Sequence, residues 1–213
     1  MWVGDLDICE RLYMRVAITG TSGLAKVIKD TLESTPFRGQ TIEVSPIRCE
    51  DITANKENCW IYRGHRPCDV LINLAHQDQT KILGITHRAW ESNDKKYVIN
   101  ISSRAARPNI SKGYEYAAEK AQLNHLADNL LFNSKKRYKM TTINLGLLEH
   151  ELPSVKHQDV AGLIHKLITS YPDYEVSDIT LQAHANYTEV QEDKETLRDT
   201  ERMIKSLYPQ NGM

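Results

Sequence analysis

The stretch Met14-Arg-Val-Ala-Ile-Thr19-Gly20-Thr-Ser-Gly23-Leu24-Ala-Lys-Val-Ile-Lys-Asp-Thr-Leu32 decides the fold. Met14 to Thr19 is a mostly apolar run of strand length. Leu24, Val27, Ile28 and Leu32 then recur at helical spacing. Between the two lie Gly20 and Gly23, which allow a tight turn and close backbone approach to a bound group. A helix that starts directly after such a turn offers its N–H groups and the positive end of its dipole, a ready site for phosphate. A plain strand–helix turn needs glycine too, so the stretch by itself leaves both readings open.

Working outward, strands are expected near 14–19, 41–45, 69–73, 96–101, 139–144 and 175–182. Helices are expected near 23–34, 78–91, 113–132, 157–170 and 188–208. This alternation predicts an α/β fold: a single-domain, doubly wound parallel sheet, Rossmann-like, with helices on both faces. Residues 1–13 read as an N-terminal extension and 14–187 as the domain. Residues 188–213 read as a C-terminal helix packed on it, with a narrow apolar stripe at Val190, Leu197, Ile204 and Leu207.

Tyr114-Glu-Tyr-Ala-Ala-Glu-Lys120 places Tyr116 and Lys120 four residues apart, one helical turn, on one face. A free phenol titrates near pH 10, and a nearby ammonium favours its ionised form. The pair is therefore suited to general acid–base work, although any helix rich in Tyr and Lys produces it by chance. Tyr114 points elsewhere on the helix. Tyr97-Val-Ile-Asn-Ile-Ser-Ser103 is a strand-like run ending in two hydroxyls, with Ser103 thirteen residues before Tyr116. Such a hydroxyl can hold a substrate carbonyl where open parallel sheets bind ligands, at the C-terminal strand ends. It can equally cap a helix.

Taken in this order, these features resemble the short-chain dehydrogenase/reductase family over about Met14 to Ala183. Thr19-Gly20-x-x-Gly23 resembles its glycine-rich turn, and Cys68-Asp-Val-Leu-Ile-Asn-Leu-Ala75 its fourth strand with the Asn-x-Ala ending. Asn100-Ile-Ser-Ser103 and Tyr116-x-x-x-Lys120 resemble the catalytic motifs, and Thr142-Ile-Asn-Leu-Gly146 the sixth strand with its following turn. The resemblance implies Ser103, Tyr116 and Lys120 as catalytic residues. It implies cofactor contacts from Gly20, Thr21, Ser22, Gly23 and Leu24 in the first turn. Further contacts are implied from Asn73, Ala75 and Gly146, and from Tyr116 and Lys120 themselves. The polar stretch Ile47 to Tyr62 is expected to hold the family's third strand, with Glu50-Asp51-Ile52 resembling the pair that contacts adenine. The implied activity is NAD(P)(H)-dependent reduction of a carbonyl to an alcohol, or the reverse. A homodimer or homotetramer through the Tyr116 helix is implied as well.

Three departures matter. The third family glycine is absent, with Ala25 and Lys26 in its region. Lys81-Ile-Leu-Gly84 stands where the family often has a catalytic Asn-x-x-Gly. The segment from Leu147 to about Lys156 is a short cover for a substrate pocket. Alternatives therefore stay open: a catalytically weak nucleotide-binding regulatory or interaction protein on the same fold, or a sugar-nucleotide epimerase or dehydratase. The cofactor reading favours NADP over NAD. No acid follows Thr41-Ile-Glu-Val44, whereas Ser45 and Arg48 could take a 2′-phosphate.

With 213 residues and a net charge of −1, the chain can bury a sizeable core. It gives no reason to expect nucleic acid or an anionic membrane as partner. No apolar run approaches the about 20 residues that span a bilayer. Cys9, Cys49, Cys59 and Cys68 show neither metal spacing nor a disulfide framework, and the histidines form no zinc pattern. A cytoplasmic, metal-free protein acting on a small-molecule carbonyl or alcohol is expected.

Overall fold

A computed structural model describes residues 13–37, 39–54, 68–107, 114–133, 135–149, 154–170 and 175–183. Its elements in chain order are β1 (Tyr13–Thr19), α1 (Leu24–Ser34), β2 (Thr41–Ile47), α2 (Cys49–Thr53), β3 (Val70–Asn73) and α3 (Gln79–Trp90). Then follow β4 (Tyr97–Ser103), a 3-10 turn (Arg104–Ala106), α4 (Tyr114–Leu131), β5 (Lys139–Leu145), α5 (His157–Ser170) and β6 (Asp178–Leu181). The six strands form one sheet in the order β2-β1-β3-β4-β5-β6, and every pairing is parallel. This is the expected Rossmann-like α/β architecture.

Parallel strands covered on both faces read as continuous apolar runs. β3 (Val-Leu-Ile-Asn) is accordingly buried at all of its positions. One face carries Val16, Ile18, Val70, Ile72, Ile99 and Ile143 under Ile28 and Leu32 of α1 and Val160 and Ile164 of α5. The opposite face carries Ala17, Leu71, Val98 and Met140 under Ile82 and Leu83 of α3 and Leu123 and Ala127 of α4. Towards the strand C-termini this second face turns polar, with buried Asn73, Asn100, Ser102, Thr142 and Asn144. Polar atoms buried there require partners, and the candidate site lies at that end.

The chain runs outward from β1 to β2 and then returns to β3 on the other side of β1. The crevice beyond the β1 and β3 ends is thus the switch point at which open α/β sheets bind ligands.

Three expectations change. β2 continues to Ile47, past the predicted end at 45. Cys49–Thr53 is helical, so the part of Ile47 to Tyr62 that is described holds a short helix rather than a third strand; residues 55–67 lie outside the described residues. β6 is confined to Asp178–Leu181. The expected 188–208 helix and the 1–13 extension lie, apart from Tyr13, outside the described residues.

Candidate active site

The turn after β1 has the geometry its glycines suggest. Gly20 has φ 124° and Gly23 φ 54°, both in the region that favours glycine. A Cβ on Gly20 would stand 3.4 Å from the Ala25 Cβ and 3.6 Å from a Leu74 methyl. Ala25, where a third glycine is expected, therefore still packs closely under the turn. Thr21, Ser22 and Gly23 are exposed, and Leu24, the first residue of α1, is buried. Thr19, fully buried, ties this turn to the next strand. Its Oγ1 accepts hydrogen bonds from the backbone N–H of Leu74 (2.8 Å) and Ala75 (3.0 Å) and donates to the Ile72 carbonyl (3.4 Å). The first turn and the Asn73–Ala75 turn are thereby held as one ledge at the switch point. An exposed glycine turn at a helix N-terminus, backed by a rigid second turn, fits the diphosphate of a dinucleotide.

Around this ledge the expected contacts divide. Arg48 is exposed and directly follows β2, whose last residue, Ile47, pairs with Thr19. Arg48 thus flanks the glycine turn. Ser45 lies inside β2, opposite Ala17, further from the strand end than its place after Val44 suggests. Asp51 is on α2 rather than at a strand end. Gly146 donates its N–H to the Leu181 carbonyl at 2.8 Å and is packed against Gln182, which ties it to β6.

The catalytic candidates lie over the ends of β4 and β3. Lys120 is only 3% exposed. Its Nζ lies 5.5 Å from the centroid of the Tyr116 ring, within cation–π range. One helical turn therefore does bring the pair together, while Tyr114 is 83% exposed. Burial of Lys120 penalises its ammonium and lowers its pKa to about 8, with Glu119 acting weakly in the other direction. His76, exposed, stacks at a tilt on Tyr116 with the ring centroids 6.1 Å apart.

Ser103 terminates β4 and caps the 3-10 turn, its Oγ accepting from the Ala105 N–H at 3.1 Å. A serine hydroxyl has a donor besides its acceptor sites, so the cap leaves the O–H available to a carbonyl oxygen. α4 packs against that turn, which brings the Ser103 end of β4 alongside the helix of Tyr116.

One residue was not legible from the sequence. Gln79, the first residue of α3 and 5% exposed, accepts a hydrogen bond from Lys120 Nζ. Lys81, at the start of the stretch compared with Asn-x-x-Gly, is exposed. The amide beside the lysine is therefore two positions upstream of that motif. An amide at the start of a helix, where the side chain would ordinarily meet solvent, is the only local signal. Asn73 completes the arrangement, donating from Nδ2 to the Gln79 carbonyl (3.0 Å) and to Asn100 Oδ1 (3.1 Å). A cleft of about 400 Å³ beside it is lined by His76, Asp78, Gln79, Thr80, Glu119 and Gln122, among others.

Among the described residues, no group of His, Cys, Asp or Glu is arranged to hold a metal ion. Cys49 is a free thiol, and Cys68 is buried. No described helix is long and apolar enough to cross a membrane.

No family model matches the chain, and no curated protein matches it. Solved structures do. Serine dehydrogenase from Escherichia coli is similar at TM-score 0.63 and 17% identity, over 82% of this chain and 100% of that one. A metagenomic short-chain oxidoreductase in complex with NADP is similar at TM-score 0.58 and 19% identity, over 81% and 98%. A 7α-hydroxysteroid dehydrogenase complexed with NADH and 7-oxo glycochenodeoxycholic acid is similar at TM-score 0.61 and 17% identity, over 83% and 96%. The chain has the fold of the short-chain dehydrogenases and reductases over most of its length.

Proposed function

We propose that this protein is an oxidoreductase of the short-chain dehydrogenase/reductase family, interconverting a small-molecule carbonyl and its alcohol with NADP(H), or NAD(H) as the alternative. The observation that carries the reading is the buried Lys120 ammonium against the Tyr116 ring, at the sheet end that also bears Ser103 and the glycine turn.

The backbone of Gly20 to Leu24 would hold the diphosphate, with Arg48 beside it for a 2′-phosphate. Asn73 and Ala75 shape the ledge on which the rest of the cofactor lies. Bound there, the nicotinamide supplies or accepts the hydride. Tyr116 donates a proton to the substrate oxygen as the carbonyl is reduced and removes it in the reverse direction. Lys120 places positive charge beside the phenol and stabilises the negative charge that develops on its oxygen. The Ser103 O–H, free of the cap, donates to the substrate oxygen and fixes its position. A second copy of the chain packing on α4, where Ala118 is exposed, would make the homodimer or homotetramer that the family resemblance implies.

A second reading is favoured by one observation: Lys120 is already engaged by Gln79. On it, the fold binds nucleotide as a regulatory or interaction module and turns over weakly. Tyr116→Phe separates the two. On the enzymatic reading it lowers turnover of carbonyl substrates by about 100-fold or more, with cofactor affinity little changed. Undiminished turnover in the variant would remove Tyr116 from the chemistry.

A further inference from the structure

A polar side chain at the first position of a helix ordinarily faces water, yet Gln79 is 5% exposed. Asp78, immediately before it, adopts a left-handed conformation with φ 59°, which turns the chain so that α3 begins with this side chain directed inward. The carboxamide is then fully used. Its Nε2 donates to the carbonyls of Asn73 (2.8 Å) and Ile101 (2.9 Å). Two carbonyl acceptors on one side fix which end of the amide is nitrogen. The Oε1 must therefore face the other way, where it accepts from Lys120. The Gln79 backbone carbonyl is held in turn by Asn73 Nδ2. The ends of β3 and β4 and the start of α3 thus converge on one oxygen atom, and that atom is offered to the ammonium.

The surroundings of Lys120 make this oxygen consequential. Its other acceptor is the Ile101 carbonyl at 3.5 Å, a long contact. Tyr116 and Glu119 flank it on α4, while His76 and Asp78 stand on the segment leading into α3. The oxygens that meet the ammonium are neutral, so they support its charge without cancelling it. A lysine has a long flexible stem, and without a fixed acceptor its head would have no preferred place under the Tyr116 ring.

We infer that Gln79 is a positioning residue: its carboxamide oxygen fixes the Lys120 ammonium beneath Tyr116 and sets how readily that lysine gives up its proton. The inference rests on the proposed roles of Tyr116 and Lys120, but its test does not require turnover.

The test uses the full chain, without cofactor, labelled with 13C-lysine and 15N-glutamine. The Lys120 resonance is assigned with Lys120→Arg and followed as a function of pH. In the unaltered protein the Gln79 side-chain amide should titrate with the same midpoint as Lys120. Removal of the acceptor in Gln79→Met should lower the Lys120 midpoint by about one pH unit, since the ammonium loses support. A carboxylate in Gln79→Glu should raise it by a similar amount. Lys81→Met, which removes only an exposed neighbouring charge, should leave the midpoint in place. Turnover in Gln79→Met should fall by roughly tenfold or more while the KM for cofactor changes less. In Gln79→Glu the pH profile of turnover should move to higher pH. Should Gln79→Met fail to fold, the amide titration of the unaltered protein and the direction in Gln79→Glu decide alone. A Gln79 amide indifferent to Lys120, or Lys120 midpoints that coincide in the folded variants, would overturn the inference. Coupled midpoints with no carbonyl turnover under any condition would keep the Gln79–Lys120 coupling and remove the enzymatic reading instead.

Discussion

At the scale of single residues, Lys120 stores a stability cost at the site. Its pKa falls from 10.5 to about 8 because burial disfavours the ammonium. Below about pH 8 the lysine is protonated in both folded and unfolded chains, so the cost is present in full. Between 8 and 10.5 the unfolded chain binds a proton that the folded chain does not, and stability rises with pH. Comparing the protein with Lys120→Met by urea denaturation should therefore show their difference moving in favour of the unaltered protein. The change should amount to about 3 kcal/mol between pH 7 and pH 10.5. Any constant offset from leaving Gln79 without its donor cancels in that comparison. A pH-independent difference would show that Lys120 titrates normally in the fold. The Tyr116–Lys120 pair was legible because both lie on one helical turn. Gln79 was not, because it meets Lys120 across 41 residues of sequence, and the inward turn at Asp78 has no sequence signature.

At the scale of elements, the first strand–turn–helix unit does what its residues suggest, but its rigidity comes from elsewhere. The Thr19 hydroxyl clamps the Leu74 and Ala75 amides, a contact between motifs more than 50 residues apart that neither motif announces. Thr19→Val keeps the volume and removes the clamp. It should cost about 1–3 kcal/mol in denaturant unfolding and weaken dinucleotide binding in the same variant. An unchanged midpoint would mean that water replaces the hydroxyl without loss. The misplaced end of β2 has a physical reason. Pro46 argues against a strand interior, yet β2 has a described neighbour on one side only, and a proline is tolerated on such an edge. Pro46 accordingly lies in register with Ile18. Within the described part of the stretch expected to hold a third strand, Cys49-Glu-Asp-Ile-Thr53 forms a helix that buries Ile52 alone. A single buried side chain does not need the alternation of a strand.

At the scale of the whole molecule, a ligand that binds only the folded chain stabilises it by mass action. A nicotinamide dinucleotide at about 100 times its dissociation constant should add about 2.7 kcal/mol. For a chain of this size that is a rise of about 5–10 °C in Tm. Thermal denaturation should show a larger shift with NADPH than with NADH, and Arg48→Ala should abolish the difference. Equal shifts in the unaltered protein would assign Arg48 to solvent and remove the NADP preference. The all-parallel sheet has a separate consequence for how the protein is made. No two of its strands can join as a local hairpin, and β1 pairs on one side with β2 and on the other with β3, Val16 against Val70. A chain emerging from the ribosome therefore carries β1 with one edge bare until the β3 segment has followed it out. Such non-local pairing is slow to close, and the exposed apolar edge is the form most open to aggregation. Synthesis rate and chaperone supply, more than the final free energy of folding, should govern how much of this protein a cell accumulates.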